Sequence, residues 1–446
     1  MVIKMYDNKK MFILGMARSG YEVAKLLARH NCSILITDMK EQDQDKVDEL
    51  RELGINLIVT DVPEELLDNS FDYVVKNPGI KVDHQVCLKA EKLKIPVINE
   101  LEVAYHYLPK NTKIIAITGS NGKTTTTTLT YEILREANLP VYLGGNIGFP
   151  MSSLIDKLKE NEIIVIELSA QQLHDFYDFK TDIAILTNLT PVHLDHFKTY
   201  ENYQRCKKKI FNHHTADDLA ILNGNDEDVI NLTNDIKSKK VYFSAYKDCD
   251  IYIKNEAIYY HEEIIKLDDI RVKGNHNYEN IMCAIVVAKQ FNVSNEVIKE
   301  VLNKFSGVEH RLEFVKKVAD REFYNDSKAT NVTSTITALD SFDKPTILLL
   351  GGLDRGHSFD ELLPHMKNVK LVVCYGQTKE RIKEFCDTNK IECYQKDNLA
   401  DSTKLAYNLS SSGDVILLSP ACASWDQYEK FEDRGDDFKR VVEKLK

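Results

Sequence analysis

What this chain of 446 residues lacks narrows its class first. None of its nine cysteines is spaced C-x-x-C and their number is odd. Neither a metal framework nor a disulfide scaffold is therefore expected, and a reduced cytoplasmic compartment is the simplest home. No apolar run approaches ~18 residues, which removes membrane insertion from the expectations. The first ten residues are polar and charged, without the apolar core of a signal peptide. Positive charge is not in excess either: 58 Lys and Arg against 69 Asp and Glu give a net charge of −11. Nucleic acid is not an expected partner, since its binding rests on cationic patches that neutralise phosphates. The charge runs at 41–48 and 432–437 read as solvated faces.

Two glycine signatures are incomplete. The dinucleotide fingerprint would need glycine at Ile13 and Arg18, so a dehydrogenase reading of the first strand–helix turn fails. A Walker A loop would need glycine at Ile117. What is there is still a phosphate loop: Ile114-Ile115-Ala116-Ile117 is an apolar strand, Thr118 to Gly122 a glycine-bearing turn, and Lys123-Thr124-Thr125 the opening of a helix. Backbone N–H groups of Gly119, Ser120, Asn121 and Gly122, with the helix start through Thr125 and Thr126, would cradle anionic oxygens. Lys123 supplies a cation for the outer phosphates and Thr124 a hydroxyl for magnesium.

Strands alternate with helices along the chain, which predicts an α/β protein of three domains in series. These are a Rossmann-like N-terminal domain at 1–105, a P-loop mononucleotide-binding central domain at 106–307 and a Rossmann-like C-terminal domain at 308–446. The first has strands at 11–15, 33–37, 73–75 and 96–98 and a helix at 19–30. The second continues with strands at 163–167, 183–187 and 219–223, an antiparallel excursion at 250–267, and a helix at 275–291 carrying Asn277 and Asn280 on one face. The third has strands at 323–324, 346–350, 371–375 and 415–418.

Polar and charged residues gather where these strands end. Gly15 to Gly20 fills the first strand–helix turn, Asp38 ends the second strand, and Asn77-Pro78-Gly79-Ile80 forms a third turn. Nucleotide binding and plain loop chemistry are both open for them. Glu167 ends a central strand, placed to reach magnesium on phosphates. His193 shares one loop with Asp195 and His196, which suits a metal or proton-transfer role. Lys207 lies in the basic stretch 205–209, by composition a solvated helix face. In the third domain His310-Arg311, Asp326-Ser327-Lys328-Ala329-Thr330-Asn331, Arg355 and Ser424 stand at strand ends and suit a small anionic substrate.

Together these motifs resemble the Mur ligase family along the whole chain. The likeness runs through Gly-Met-Ala-Arg-Ser-Gly at 15–20, Asn-Pro-Gly-Ile at 77–80, Thr-Gly-Ser-Asn-Gly-Lys-Thr-Thr at 118–125 and Gly-Gly-Asn-Ile-Gly at 144–148. It continues through Glu-Leu-Ser at 167–169, His-Leu-Asp-His at 193–196, Asn-Asp-Ser-Lys-Ala-Thr-Asn at 325–331 and Leu-Ser-Pro-Ala-Cys-Ala-Ser-Trp-Asp at 418–426. The shortened loop is also the family's form. The resemblance implies an ATP-dependent ligase that joins D-glutamate to UDP-N-acetylmuramoyl-L-alanine through an acyl phosphate, acting as a monomer on cytoplasmic peptidoglycan precursors. It implies that Met16, Ala17, Arg18, Asp38, Asn77, Gly79 and Asn146 hold the UDP-substrate. Asn277, Asn280, Arg311 and Asp326 would join the phosphate loop in contacting ATP. Lys123, Glu167, His193 and Lys207 would be catalytic, with Thr124, Glu167, His193 and a carbamylated Lys207 holding Mg2+. Lys328, Thr330, Arg355, Ser424 and Phe431 would hold D-glutamate. Arg355 stands where some members carry Lys, and Ala170-Gln171 where Ser-Phe is common.

The alternatives are another Mur-type or a folylpolyglutamate-type amide ligase and, from a different class, a nucleotide-switch or motor ATPase. The Asp-Asn-Pro-Arg signature of the diaminopimelate-adding members is absent. A switch or motor has no need of the strand-end cations of the third domain.

Overall fold

The computed structural model describes residues 4–192 and 194–445, so the expectations for His193 lie outside the described residues. The chain forms two compact units, Met1–Lys304 and Phe305–Lys446. The first holds two sheets and the second one. Among the described residues no helix is long and apolar enough to cross a membrane.

The first sheet is parallel, in the order β3-β2-β1-β4-β5, built from β1 (Lys10–Leu14), β2 (Ser33–Asp38), β3 (Asn56–Val59), β4 (Tyr73–Lys76) and β5 (Val97–Ile98). Met11, Phe12 and Ile13 are fully buried, which is why β1 reads as a continuous apolar run and does not alternate. Strand order reverses beside β1, so the turns after β1 and β4 meet at the carboxyl ends of the strands, where doubly wound sheets take their ligands.

The second sheet has nine strands: β6 (Lys113–Thr118), β7 (Val141–Gly145), β8 (Ile163–Glu167), β9 (Ile183–Leu186), β10 (Leu219–Asn223), β11 (Lys239–Ser244), β12 (Ile251–Lys254), β13 (Ala257–Tyr260) and β14 (Glu262–Lys266). Their order is β14-β13-β12-β11-β10-β9-β6-β8-β7, parallel from β7 to β12 and antiparallel where β13 and β14 turn back. The antiparallel excursion expected at 250–267 is this hairpin pair.

Buried polar contacts fasten the first sheet's elements to the segment after β8. Lys76 pairs with Asp175 at 3.0 Å, both side chains almost fully buried. Asn99 Nδ2 donates to the Gln172 carbonyl at 2.6 Å. The Glu102 carboxylate accepts from the N–H groups of Tyr177, Asp178 and Phe179 at 3.2, 2.8 and 3.2 Å. Burial alone would raise the Glu102 carboxyl, yet His106 and those N–H donors carry it below the usual range.

The second unit is one six-stranded sheet, β15-β16-β20-β17-β18-β19, from β15 (Glu313–Val318), β16 (Arg321–Asn325), β17 (Thr346–Gly351), β18 (Val369–Tyr375), β19 (Cys393–Gln395) and β20 (Val415–Leu418). It is parallel apart from β15. The expected α/β class with parallel-dominated sheets is what the chain forms.

Five strands escape the sequence reading: β3, β7, β11, β15 and β19. Four of them are sheet edges. An edge strand is covered on fewer sides, so polar residues interrupt its apolar pattern, as the largely uncovered residues of β3 and β19 display.

Candidate active site

β6 delivers its turn at the carboxyl end of the second sheet, between β8 and β9. Gly119 and Gly122 take φ of 148° and 79°. A Cβ at Gly119 would lie 1.9 Å from Thr187 Oγ1, and one at Gly122 2.3 Å from Asn280 Oδ1, so glycine alone fits both corners. The loop after β9 fixes the turn from outside: Ser120 N donates to the Asn188 carbonyl at 2.9 Å and Asn121 N to Asn188 Oδ1 at 2.8 Å. Ser120 Oγ accepts from Thr190 N at 2.8 Å and meets the Tyr203 hydroxyl at 2.9 Å. The cradle is shaped in the folded chain itself, the condition under which aligned donors stabilise developing charge. The helix Lys123–Glu136 starts directly after Gly122 with no side-chain cap, so its first N–H groups suit an anion.

Three ionisable groups converge on this turn. Lys123 Nζ donates to the carbonyls of Gly119 and Ser120 at 2.9 and 2.8 Å. Lys207 Nζ donates to the same Gly119 carbonyl and to Thr118 Oγ1, each at 2.8 Å. Lys207 is 1% exposed, which corrects the solvated face expected for 205–209. The helix Tyr200–Lys208 turns Tyr203, Cys206 and Lys207 inward, positions three and four apart on one face. Burial, then the charge of Lys123, pushes the Lys207 amine well below the usual lysine range, against a smaller pull from Glu167.

Glu167 ends β8 and is also 1% exposed. Its Oε1 accepts from Asn146 Nδ2 at 2.7 Å. Its Oε2 is buried with no hydrogen-bond partner among the described residues, a state that is expensive unless a cation or donor arrives. Asn146, expected at the UDP-substrate, is thus placed on Glu167. Thr124, Thr125 and Thr126 are buried along the helix start. Asn280 accepts from Thr126 Oγ1 at 3.1 Å, and Asn277, one turn earlier on the helix Asn275–Gln290, donates to the Lys273 carbonyl at 2.9 Å. An oxygen-donor set of Glu167 Oε2 and the Thr124 hydroxyl suits a hard divalent cation.

At the first sheet's crevice, Met16 N donates to Asp38 Oδ2 and Asn77 Nδ2 to the Gly15 carbonyl, both at 2.8 Å. Asp38 and Asn77 therefore shape the turns, while Ala17, Arg18 and Gly79 are exposed. Ala17 caps the helix Arg18–Arg29 without a side-chain acceptor. Arg18 bonds the Gly148 carbonyl and stands 5.6 Å over the Phe149 ring. A cleft of ≈ 450 Å³ beside it is lined by Arg18, Lys46, Lys157, Tyr21, Phe149 and the acidic Glu22, so cations outnumber the one carboxylate.

In the second unit Asp326, Lys328, Thr330, Arg355 and Ser424 occupy the loops after β16, β17 and β20, while Arg311 precedes β15 and Phe431 opens the last helix. Asp326 Oδ2 accepts from Ser419 Oγ at 2.7 Å and Oδ1 from Leu312 N at 3.2 Å. Burial pushes its carboxyl up to about 7, against Ser419 and Arg311. Arg311 Nε is buried without a hydrogen-bond partner among the described residues, as is the Oγ of Ser424. Lys328 Nζ lies 5.8 Å over the Phe431 ring and the Arg355 guanidinium 4.8 Å over Trp425. Thr330 N donates to the Lys328 carbonyl at 2.9 Å.

Beneath these loops lies a residue that sequence reasoning missed. Arg434 is 0% exposed. It donates Nε to Ser327 Oγ at 3.0 Å, Nη2 to the Ser327 carbonyl at 2.8 Å and Nη1 to the Cys422 carbonyl at 3.0 Å. The run 432–437 is thus not a uniformly solvated face: the helix Phe431–Glu443 buries Arg434, Gly435 and Phe438. The spacing of Phe431, Arg434, Gly435 and Phe438 was the available signal for a helix with one inward face.

A pre-shaped phosphate loop, a buried carboxylate with one unpartnered oxygen at the next strand end and a separate α/β unit with strand-end cations define a phosphoryl-handling α/β enzyme. Residues 9–99 match the MurD-like N-terminal domain of Mur ligases, 117–288 the Mur ligase middle domain and 310–422 the Mur ligase glutamate ligase domain. The chain belongs to the Mur ligase family. It is 45% identical over 447 residues to the UDP-N-acetylmuramoylalanine–D-glutamate ligase of Geobacillus sp. (strain WCH70), covering 99% of each chain. The ligase of the same name from Bacillus thuringiensis (strain Al Hakam) is 42% identical over 445 residues, covering 99% of this chain and 98% of the relative. Among solved structures, MurC of Thermotoga maritima aligns with a TM-score of 0.59 at 19% identity, covering 98% of each chain. MurF of Thermotoga maritima in complex with ADP aligns with 0.59 at 16% identity, covering 99% of this chain and 97% of that one. These two likenesses concern the fold.

Proposed function

We propose that this chain joins D-glutamate to UDP-N-acetylmuramoyl-L-alanine, with ATP converted to ADP and phosphate, in cytoplasmic peptidoglycan precursor synthesis. The observation that carries the reading is the convergence of Lys123, Lys207 and Glu167 on a phosphate loop in a chain matched end to end by D-glutamate ligases. The nine free cysteines fit a reducing compartment. Residues 1–105 are assigned to the UDP-substrate, 106–307 to ATP and 308–446 to D-glutamate.

A carboxylate is a poor acyl donor, so the L-alanyl carboxylate oxygen attacks the γ-phosphorus of ATP and ADP leaves. The D-glutamate amine then attacks the carbonyl carbon of the acyl phosphate, loses a proton, and the tetrahedral intermediate expels phosphate as the amide forms. The N–H groups of Gly122 and of the first helical turn hold the phosphates in line, and Lys123, released from the Gly119 and Ser120 carbonyls, meets the charge on the transferred group. Glu167 Oε2, the Thr124 hydroxyl and a carbamate on Lys207 would hold Mg2+, with His193 assigned to the same group by the family pattern; when bound the ion would neutralise phosphate charge. The depressed proton affinity of Lys207 leaves a neutral amine that adds carbon dioxide, releasing one proton and giving a carbamate. Lys328, Thr330, Arg355, Ser424 and Phe431 receive the amino acid.

The reading is tested by ADP release with UDP-N-acetylmuramoyl-L-alanine and a panel of amino acids. D-glutamate alone should support turnover, and turnover with meso-diaminopimelate or L-glutamate instead would overturn the assignment.

A further inference from the structure

We propose that Glu102, His106 and Asp178 form a binding site for a zinc-type divalent cation, apart from the residues assigned to the ligase reaction. Glu102 and His106 stand one turn apart at the end of the helix Glu100–Tyr105. Asp178, 76 residues beyond Glu102, lies in the turn that follows the helix Ala170–His174. His106 Nε2 is 3.7 Å from Glu102 Oε1 and 3.5 Å from Asp178 Oδ2. One ligand atom from each of the three residues falls within 4.8 Å of the other two.

The fold fixes this group from several sides. Glu102 is buried, and the three N–H groups it accepts hold both its carboxylate and the turn that carries Asp178. Its Oε1 takes one of those bonds, from Asp178 N at 2.8 Å, and so keeps a lone pair. The buried Tyr6 ring meets the His106 ring edge-on at 5.1 Å and sets its plane. His106 Nε2 is itself buried with no hydrogen-bond partner among the described residues, a costly state for a polar atom. Ligands that share a cation through bonds of about 2.0–2.1 Å at tetrahedral angles stand about 3.4 Å apart, within a few tenths of an ångström of both spacings. An imidazolium would answer the two carboxylates across gaps too long for good hydrogen bonds, whereas a shared cation bonds all three residues.

Charge and donor type select the ion. Two carboxylates balance a divalent cation, and an imidazole favours zinc and its transition-metal neighbours over magnesium or calcium. Among the described residues no lysine or arginine pairs with Glu102 or Asp178, and His106 is the partner of both. The other group with such spacing, Glu309, His310 and Asp436, already holds Lys439 against its two carboxylates. Asp178 is half exposed, so the ion enters from the solvent side and water completes its coordination. Binding takes one lone pair from each residue, releases any proton on the imidazole and transfers no electrons. The loaded site clasps the helix after the first sheet to the turn before β9, adding to the fastening made by Lys76 and Asn99.

The test is a titration of the chelator-treated full-length protein with Zn(II), with excess Mg2+ present to occupy the phosphate-loop residues. It is read by calorimetry and thermal melting, and repeated with Co(II), whose visible d–d band reports tetrahedral inner-sphere ligation. Binding of a single equivalent with a rise in Tm is expected. Asp178→Asn, at an exposed position, should weaken binding about 100-fold or more and abolish the band, with circular dichroism confirming its fold. Glu309→Gln should leave affinity and band unchanged. A wild-type protein that binds no Zn(II), wild-type affinity in Asp178→Asn, or weakened binding in Glu309→Gln would overturn the proposal.

Discussion

The two units handle charge in opposite ways. Around the phosphate loop the ionisable groups are sunk into the first unit: Lys207 and Glu167 are each 1% exposed, and Lys123 is held by two carbonyls of its own turn. In the second unit the cations Lys328 and Arg355 rest on the Phe431 and Trp425 rings, and a buried cation, Arg434, lies beneath the loops it ties together. The difference teaches where rigidity is needed. Phosphoryl transfer gains from donors fixed in a dry site before charge develops, whereas a small amino acid is held well by cations that keep some freedom, provided the loops under them are fixed.

The largest expected break in this contrast is Lys123→Ala. It should lower D-glutamate-dependent phosphate release by about 10³-fold or more with the melting temperature nearly unchanged; normal turnover would contradict the assigned role. Arg434→Met comes next. It strips three hydrogen bonds from buried acceptors and should destabilise the chain by about 3–5 kcal/mol while raising the KM for D-glutamate more than that for ATP. Chemical denaturation and paired kinetics check both halves, and equal changes in the two KM values would remove the loop-anchoring role.

A third effect sits in the first unit's buried charge. Burial pushes Glu100 up from 4.5 to about 7, against the N–H of Ser152, which it accepts at 2.5 Å. The folded value lies above the unfolded one, so its contribution is full below about pH 4.5 and is lost as pH rises through about 7. Glu100→Gln keeps the acceptor and should remove about 3 kcal/mol of the stability decline between about pH 5 and 8. Unfolding curves across that range decide it, and an unchanged slope would refute the account of Glu100. The smallest effect belongs to the exposed cations: Arg355→Ala should raise the D-glutamate KM about 10-fold, leaving stability within about 0.5 kcal/mol.

The same contrast explains what was legible in the sequence. The phosphate loop was readable because strand, glycine corners and helix start are consecutive residues whose physics is local. Glu167 was readable for the same reason, as the last residue of an apolar strand. Lys207 was singled out by the family resemblance alone, since by composition a basic stretch on a helix looks solvated until tertiary packing turns one of its faces inward. Arg434 hid in an acidic run for the reason that its partners, Ser327 and Cys422, are distant in sequence. Asn146 lay in a quoted motif, yet its contact with Glu167 depends on two strands being neighbours. Edge strands such as β3 and β19 were lost because one-sided cover blurs the pattern.

The central claim, that the phosphate loop activates a carboxylate for amide formation, is tested most directly by isotope transfer. UDP-N-acetylmuramoyl-L-alanine labelled with oxygen-18 in its terminal carboxylate is turned over with ATP and D-glutamate, and the released phosphate is weighed by mass spectrometry. An acyl phosphate route delivers one labelled oxygen to each phosphate. Unlabelled phosphate accompanied by normal amide formation would contradict it.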